Sequence, residues 1–297
     1  TYTIPSPNSA SLISYYFEVV PSGEDGTFYY PSEGEDEPFF FIYGSLDYIV
    51  YDKFENDSGW SLGQGDAVSG IWERAIPNGT VYQGQEVQPG EDYSVDGDYC
   101  YVTGNGVGQS IGFDDVDGGN TSIVSPVYNL QDYNSVLVTY FRWFTNNLGD
   151  NPSTDRFSVQ VSNNGGNSWV DIENTNLSDN SWKRNRFLLS DYISLTSNII
   201  FKVTTEDVFN DGDFGSGNSL VEAAFDDFSI QNISVNFLSG DVNSDNLLNV
   251  LDVLIVINFV LDVLNPSDFE FQIADINGDG QLSVLDVVLL VNIILDN

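Results

Sequence analysis

Asp241-Val-Asn243-Ser-Asp245-Asn246-Leu247-Leu-Asn249-Val-Leu-Asp252 is followed, 34 positions on, by Asp275-Ile-Asn277-Gly-Asp279-Gly280-Gln281-Leu-Ser283-Val-Leu-Asp286. Both stretches carry an oxygen-bearing side chain at positions 1, 3, 5, 9 and 12. Position 7, Leu247 or Gln281, is free to offer its backbone carbonyl. Calcium takes six to eight hard oxygen ligands at ~2.3–2.6 Å, and this spacing supplies them. Position 6 must turn sharply: Gly280 does so freely, and Asn246 tolerates positive φ better than most residues. Asp/Asn-rich loops are ordinarily plain turns. Two full matches, each leading into the same apolar segment, argue against that reading here. Asn249–Val263 and Ser283–Asn297 share Val, Leu, Asp, Val, Asn, Leu and Asp at equivalent places. Helices are expected over both.

This duplicated EF-hand-like loop and helix resembles a type I dockerin, the module that plugs secreted bacterial proteins into cohesin domains. The resemblance spans about Gly240–Asn297. It implies two calcium ions, one held by Asp241, Asn243, Asp245, Leu247, Asn249 and Asp252. The other is held by Asp275, Asn277, Asp279, Gln281, Ser283 and Asp286. It also implies a cohesin-like partner met through Val250 and Leu251 or, in a second orientation, Val284 and Leu285. Two departures stand out. Position 12 is Asp in both copies where an EF-hand usually has Glu, and the connection between copies is longer than usual and contains Pro266.

Composition narrows the rest. Eight basic against 45 acidic residues give a net charge of −37, which disfavours nucleic acid and anionic membranes as partners. The apolar run Val253–Leu264 is too short, and too interrupted by Asn258 and Asp262, for membrane insertion. Cys100 is the lone cysteine, so no disulfide forms within the chain; it stands between Tyr99 and Tyr101 and reads as a buried, inert thiol. With no histidine anywhere, a Ser-His-Asp triad, a Cys-His pair and His-ligated zinc are all excluded. Residue 1 is Thr and no signal peptide is visible, so the chain reads as processed or excised. Many acids guarantee chance carboxylate pairs, which makes Asp114/Asp115, Glu206/Asp207 and Asp226/Asp227 weak catalytic signals.

The fold class expected is mainly β. It comprises an antiparallel jelly-roll sandwich, a partial β segment at the N-terminus and the small α-helical C-terminal module. In residues 1–46, Ile13, Tyr15, Phe17 and Val19 alternate with polar neighbours as in a half-buried strand, and Phe39–Tyr43 reads as a second strand. With Ile4-Pro5, these runs resemble the closing strands of Ig/fibronectin-III-like domains. Residues 47–237 show short β-like runs separated by turns at Asp117-Gly-Gly119, Asn163-Asn-Gly-Gly166 and Asn210-Asp-Gly-Asp213, as in a two-sheet sandwich. Within them Ser162–Trp169 resembles an Asp-box hairpin with Asn in the Asp position. Residues 238–297 make up the dockerin-like module.

Asp52–Trp60, Asp115–Gly119 with Ser125-Pro126, and Val221–Phe228 together resemble the MAM-like jelly-roll modules of secreted bacterial proteins. That likeness implies adjacent first and last strands and a third calcium ion held by Glu55, Asp57, Asp117 and Asp226, with Asp227 in reserve. Of five tryptophans, Trp72 and Trp182 lie in polar, loop-like sequence and are candidates for stacking on a glycan. The leading functional expectation is a non-catalytic extracellular or cell-surface protein that anchors or assembles a larger complex through its C-terminal module. Alternatives are a self-assembling filament or lattice subunit binding neighbouring copies of itself, and the accessory tail of a secreted peptidase.

Overall fold

The computed structural model describes residues 11–20, 27–32, 38–106, 112, 114–149, 151–207, 219–234, 238–245 and 247–296. The chain divides into two compact units, one of residues 46–233 and the other of residues 1–45 with 234–297.

The larger unit is an antiparallel sandwich. One sheet runs β15 (Asp179–Leu188), β12 (Val136–Gly149), β17 (Ser219–Ser234), β10 (Cys100–Thr103) and β7 (Trp72–Ala75), with β5 (Ser45–Asp52) also pairing with β17. First and last strands therefore lie side by side. The other sheet runs β14 (Val170–Thr175), β13 (Arg156–Ser162), β16 (Ile200–Asp207), β11 (Gly119–Val124) and β6 (Ser61–Leu62). Strands β8 (Thr80–Tyr82) and β9 (Gln85–Gln88) form a separate two-stranded hairpin.

Period-2 alternation places the core. Phe157, Val159 and Val161 of β13 and Phe201 and Val203 of β16 face Val136, Val138, Tyr140 and Phe144 of β12, and all are buried. Strand β17 is buried along nearly its whole length, on both faces. The reason is a second, smaller cluster of Cys100, Val102, Trp143 and Ala224 on the outer side of that sheet. The Val87 carbonyl of β9 reaches this cluster and accepts from Trp143 Nε1 at 2.8 Å and Thr145 Oγ1 at 2.6 Å. The Ser162–Trp169 turn has the expected internal bonding: Ser162 Oγ accepts from the Gly166 amide at 2.9 Å, and Asn164 Oδ1 from the Ser168 amide at 3.0 Å.

Near the N-terminus β1 (Ser11–Tyr15) pairs with β4 (Phe39–Tyr43), and β2 (Phe17–Val19) pairs with β3 (Phe28–Tyr30). The continuous half-buried strand expected over residues 13–19 is instead two strands broken at Tyr16, and Tyr15, Phe17 and Val19 are exposed. Two-stranded ribbons have no second layer to cover a face, so alternation alone does not bury it. Ile4-Pro5 lies outside the described residues.

The C-terminal module contributes α1 (Val250–Val260), α2 (Asp268–Ala274) and α3 (Val284–Asp296). Capping boxes start the first two: Asn249 with Asp252, and Ser267 with Glu270. Val242, Val253, Val256, Phe259, Ile273, Ala274 and Leu290 form a compact core. Among the described residues, no helix is long and apolar enough to cross a membrane.

Candidate functional site

Each acidic loop folds back on itself by the same set of bonds. In the first, Asp252 Oδ1 accepts from the Asn243 amide at 3.4 Å and Oδ2 from the Asn249 amide at 3.0 Å. In the second, Asp286 Oδ1 accepts from Asn277 at 3.4 Å and Oδ2 from Ser283 at 2.9 Å. Position 1 receives the position-5 amide, at 3.1 Å for Asp241 and 3.2 Å for Asp275. The amide of position 3 bonds the carboxylate of position 5 at 2.9 Å in both copies. The Asp245 carboxylate accepts from the Leu247 amide and that of Asp279 from the Gln281 amide, again at 2.9 Å in both. Positions 1, 3, 5 and 12, identical in the two copies, thus make closely matching hydrogen bonds. Asp252 and Asp286 are fully buried while Asp245 and Asp279 are exposed, so position 12 ties each loop to the start of its helix and position 5 faces outward.

Position 4, which the pattern did not single out, also carries strain. Ser244 has φ 57° and Gly278 φ 68°, with Gly280 at φ 78°. The left-handed region is uncommon for a residue such as serine. Ser244 lies between the Asn243 amide, which bonds Asp252 Oδ1, and the Asp245 amide, which bonds Asp241 Oδ1. Asn246 lies outside the described residues.

Residues 239–295 match the family model described as the dockerin type I domain. The dockerin module carries its candidate docking residues at its surface: Val250 and Val284 are 64% and 65% exposed, and Leu251 and Leu285 are exposed beside them. Each pair opens a helix, one residue past the cap, in the same relation to its own loop. The donor set of each loop is oxygen only, which fits a hard divalent cation. Among the described residues, no three His, Cys, Asp or Glu side chains stand in metal-ligating geometry.

Solved structures similar to the chain include the family 22 xylan-binding domain of a Paenibacillus barcinonensis protein, at 13% identity over 65% of this chain and 99% of that one, with a TM-score of 0.35. The K1 cleaved adhesin domain of Lys-gingipain from Porphyromonas gingivalis W83 is 12% identical over 65% and 100%, TM-score 0.34. A family 11 carbohydrate-binding module from Clostridium thermocellum is 11% identical over 65% and 98%, TM-score 0.33. No curated protein matches the chain.

In the sandwich, the four acids expected to share one calcium ion are divided. Glu55 and Asp226 stand in one neighbourhood with Asp92, Asp98 and Asp227. Glu55 Oε1 accepts from the amides of Asp98 and Tyr99 at 3.0 and 3.1 Å. Asp226 Oδ2 accepts from the Tyr93 amide at 2.8 Å, and Asp227 Oδ1 from Ser94 Oγ at 2.7 Å. Consecutive strand residues normally point to opposite faces. Here Asp227 has φ 47°, and the register with β12 slips between Thr139 and Phe141, so a bulge turns both carboxylates toward residues 93–94. A Cβ on Gly97 would come within 2.4 Å of Asp92 Oδ2 and 2.5 Å of Glu55 Oε1, so a side chain there would fill the space those carboxylates border. Burial, with the charges of Asp227 and Asp92 added, pushes Asp226 up to about 8. Burial and then Glu55 raise Asp92 to about 6. Asp57 and Asp117 have other partners: Asp57 caps a turn through the Gly59 amide at 3.0 Å, and Asp117 Oδ2 accepts from Ser69 Oγ at 3.0 Å. Asp92 and Asp98 are the residues sequence reasoning passed over, although Gly90-Glu91-Asp92 … Asp96-Gly97-Asp98 marks an acid-rich loop.

Trp72 is not in a loop. It sits on β7 at 1% exposure within the main core and has no face for a glycan. Its immediate neighbours Ile71 and Glu73 are exposed, as alternation along a strand requires. Trp182 is half-buried on β15 and edge-on to both Tyr93 and Trp143. Cys100 is fully buried, and burial raises its thiol pKa well above the usual range.

Proposed function

We propose that the chain is a non-catalytic, extracellular or cell-surface calcium-binding protein that joins a larger assembly through its dockerin module, with the sandwich as the part carried. The observation that supports this most is the repetition of a shared set of hydrogen bonds in two oxygen-lined loops, each presenting an exposed Val-Leu pair. Asp241, Asn243, Asp245, Asn249 and Asp252, with the Leu247 carbonyl, would hold one ion. Asp275, Asn277, Asp279, Ser283 and Asp286, with the Gln281 carbonyl, would hold the other. Calcium neutralises acids gathered in each loop and fixes the angle at which its helix leaves. The partner class is a cohesin-like protein, met by a largely apolar contact. Surface plasmon resonance of the chain over immobilised cohesins tests the reading. Binding in millimolar calcium that vanishes in EGTA supports it; binding indifferent to calcium sinks it.

The same chemistry extends to the sandwich, where Glu55, Asp92 and Asp226 with Asp227 would hold a structural ion. Asp226→Ala should then lower the melting temperature in calcium more than Asp171→Ala, a change on the exposed strand β14. Equal shifts would remove this ion from the account.

Glycan binding is a second reading, favoured by one observation. Tyr48 and Tyr51 on β5 are 61% and 50% exposed, and their rings stack at 4.9 Å and 26°. Exposed aromatic faces offer platforms for sugar rings. Affinity electrophoresis in soluble polysaccharides, with Tyr48→Ala and Tyr51→Ala, tests it: no retardation in any gel would remove it.

A further inference from the structure

Asp207 ends strand β16 with no exposed surface, and neither of its carboxylate oxygens makes a hydrogen bond. The Gly118 N–H points toward it and acts favourably on its charge, but falls short of bonding geometry. Asp155, also without exposed surface, precedes β13, which pairs with β16 so that Arg156 faces Glu206. Asp115 is 3% exposed, and its Oδ1 is likewise buried without a partner. Asp117 forms the bridge Ser69–Asp117, and Gly119 two residues on pairs directly with Asp207. The carboxylates of Asp155, Asp117 and Asp115 are the charges that act most strongly on Asp207.

An isolated buried carboxylate is among the most unfavourable groups a fold can contain, and buried charges are ordinarily paired or metal-bound. Here several are brought together from separate segments. Leaving them in water and apart from each other would be the obvious relief, and the fold does the reverse. We propose that Asp115, Asp117, Asp155 and Asp207 form a divalent-cation site in the sandwich, distinct from the dockerin loops and from the Glu55–Asp226 neighbourhood. The donors are oxygen only, in a chain without histidine, so the ion is a hard one of calcium type. Among the described residues no three His, Cys, Asp or Glu side chains stand in metal-ligating geometry, so the site requires side-chain adjustment on binding.

The test uses the full chain, stripped on a chelating resin and titrated with calcium, with bound calcium counted by elemental analysis. Asp207→Asn and Asp155→Asn keep the side-chain shape and remove the charge. Each is expected to bind one calcium fewer than wild type and to lose part of the calcium-induced rise in the β-sheet melting temperature. In metal-free buffer each should melt no lower than wild type. Asp226→Asn serves as a separate arm, and its double variant with Asp207→Asn reports whether the losses are independent. Should Asp207→Asn fail to fold, Asp155→Asn alone decides. A wild-type calcium count and calcium response in these variants would overturn the site, whatever the helical signal of the dockerin module does.

Discussion

Replacing Asp286 by Ala tests whether the dockerin loops hold their helices. Asp286 is fully buried and accepts from the amides of Ile276 at 3.1 Å, Asn277 at 3.4 Å and Ser283 at 2.9 Å. At ~1 kcal/mol net for each, losing this acceptor removes ~3 kcal/mol whether or not calcium is present. In calcium the variant also loses a ligand. An ion at a thousandfold excess over its Kd stabilises the folded state by ~4 kcal/mol, so the combined loss approaches ~7 kcal/mol. A module of this size has ~3–9 kcal/mol to lose. The helices of Asp286→Ala should therefore be largely unfolded even in millimolar calcium. Asp279→Ala is the contrast. Its side chain is exposed and accepts from the Gln281 amide and from Asn277 Nδ2, so it should weaken calcium binding while leaving the saturated helices intact. Every α-helix among the described residues lies in this module, so ellipticity at 222 nm reads it directly. Asp286→Ala with wild-type helicity and an unshifted calcium midpoint would refute the reasoning.

Chelation of the wild-type chain should erase the helical signal and leave most of the β signal; helicity that persists in excess EDTA counts against calcium-dependent folding. Substituting one Val-Leu pair, Val250-Leu251 or Val284-Leu285, by Asp-Asp should leave partner binding largely intact, and substituting both should abolish it. Loss from a single pair would refute docking in two orientations. Trp72→Ala should destabilise the sandwich by ~3–5 kcal/mol and half-buried Trp182→Ala by clearly less, as read from denaturant midpoints. The metal-free sandwich should respond to pH in a definite direction. Asp207 and Asp226, both raised to about 8 in the fold, start from ~3.9 unfolded, so the native state binds more protons. Their favourable contribution is complete below pH ~4 and is lost as pH rises through 8. The urea midpoint of stripped protein should thus fall between pH 5 and 8.5, and an opposite slope would contradict the burial of these acids.

The sequence by itself determined the two calcium-type loops, the helices after them and the β character of the remainder. These are local matters. Loop ligands lie within twelve positions of each other, capping residues sit beside the helices they start, and β alternation repeats every second residue. The Ser162–Trp169 turn was legible for the same reason, since its bonds join residues at most four apart.

Only the tertiary structure decided how the acids of the sandwich are grouped. Asp117 and Asp226 both belong to acidic motifs, yet one lies two residues before Gly119, which pairs with Asp207 across β11–β16, and the other meets the Tyr93 amide beside a bulge at Asp227. No spacing rule reports which distant strand a carboxylate will meet, and a bulge reverses the face on which alternation would place it. Trp72 shows the same limit: it stands among Ser69, Glu73 and Arg74 in sequence, but burial is set by what packs from the opposite sheet. Short-range order follows from the chain, whereas the pairing of remote charges follows from which strands pair and how the two sheets pack.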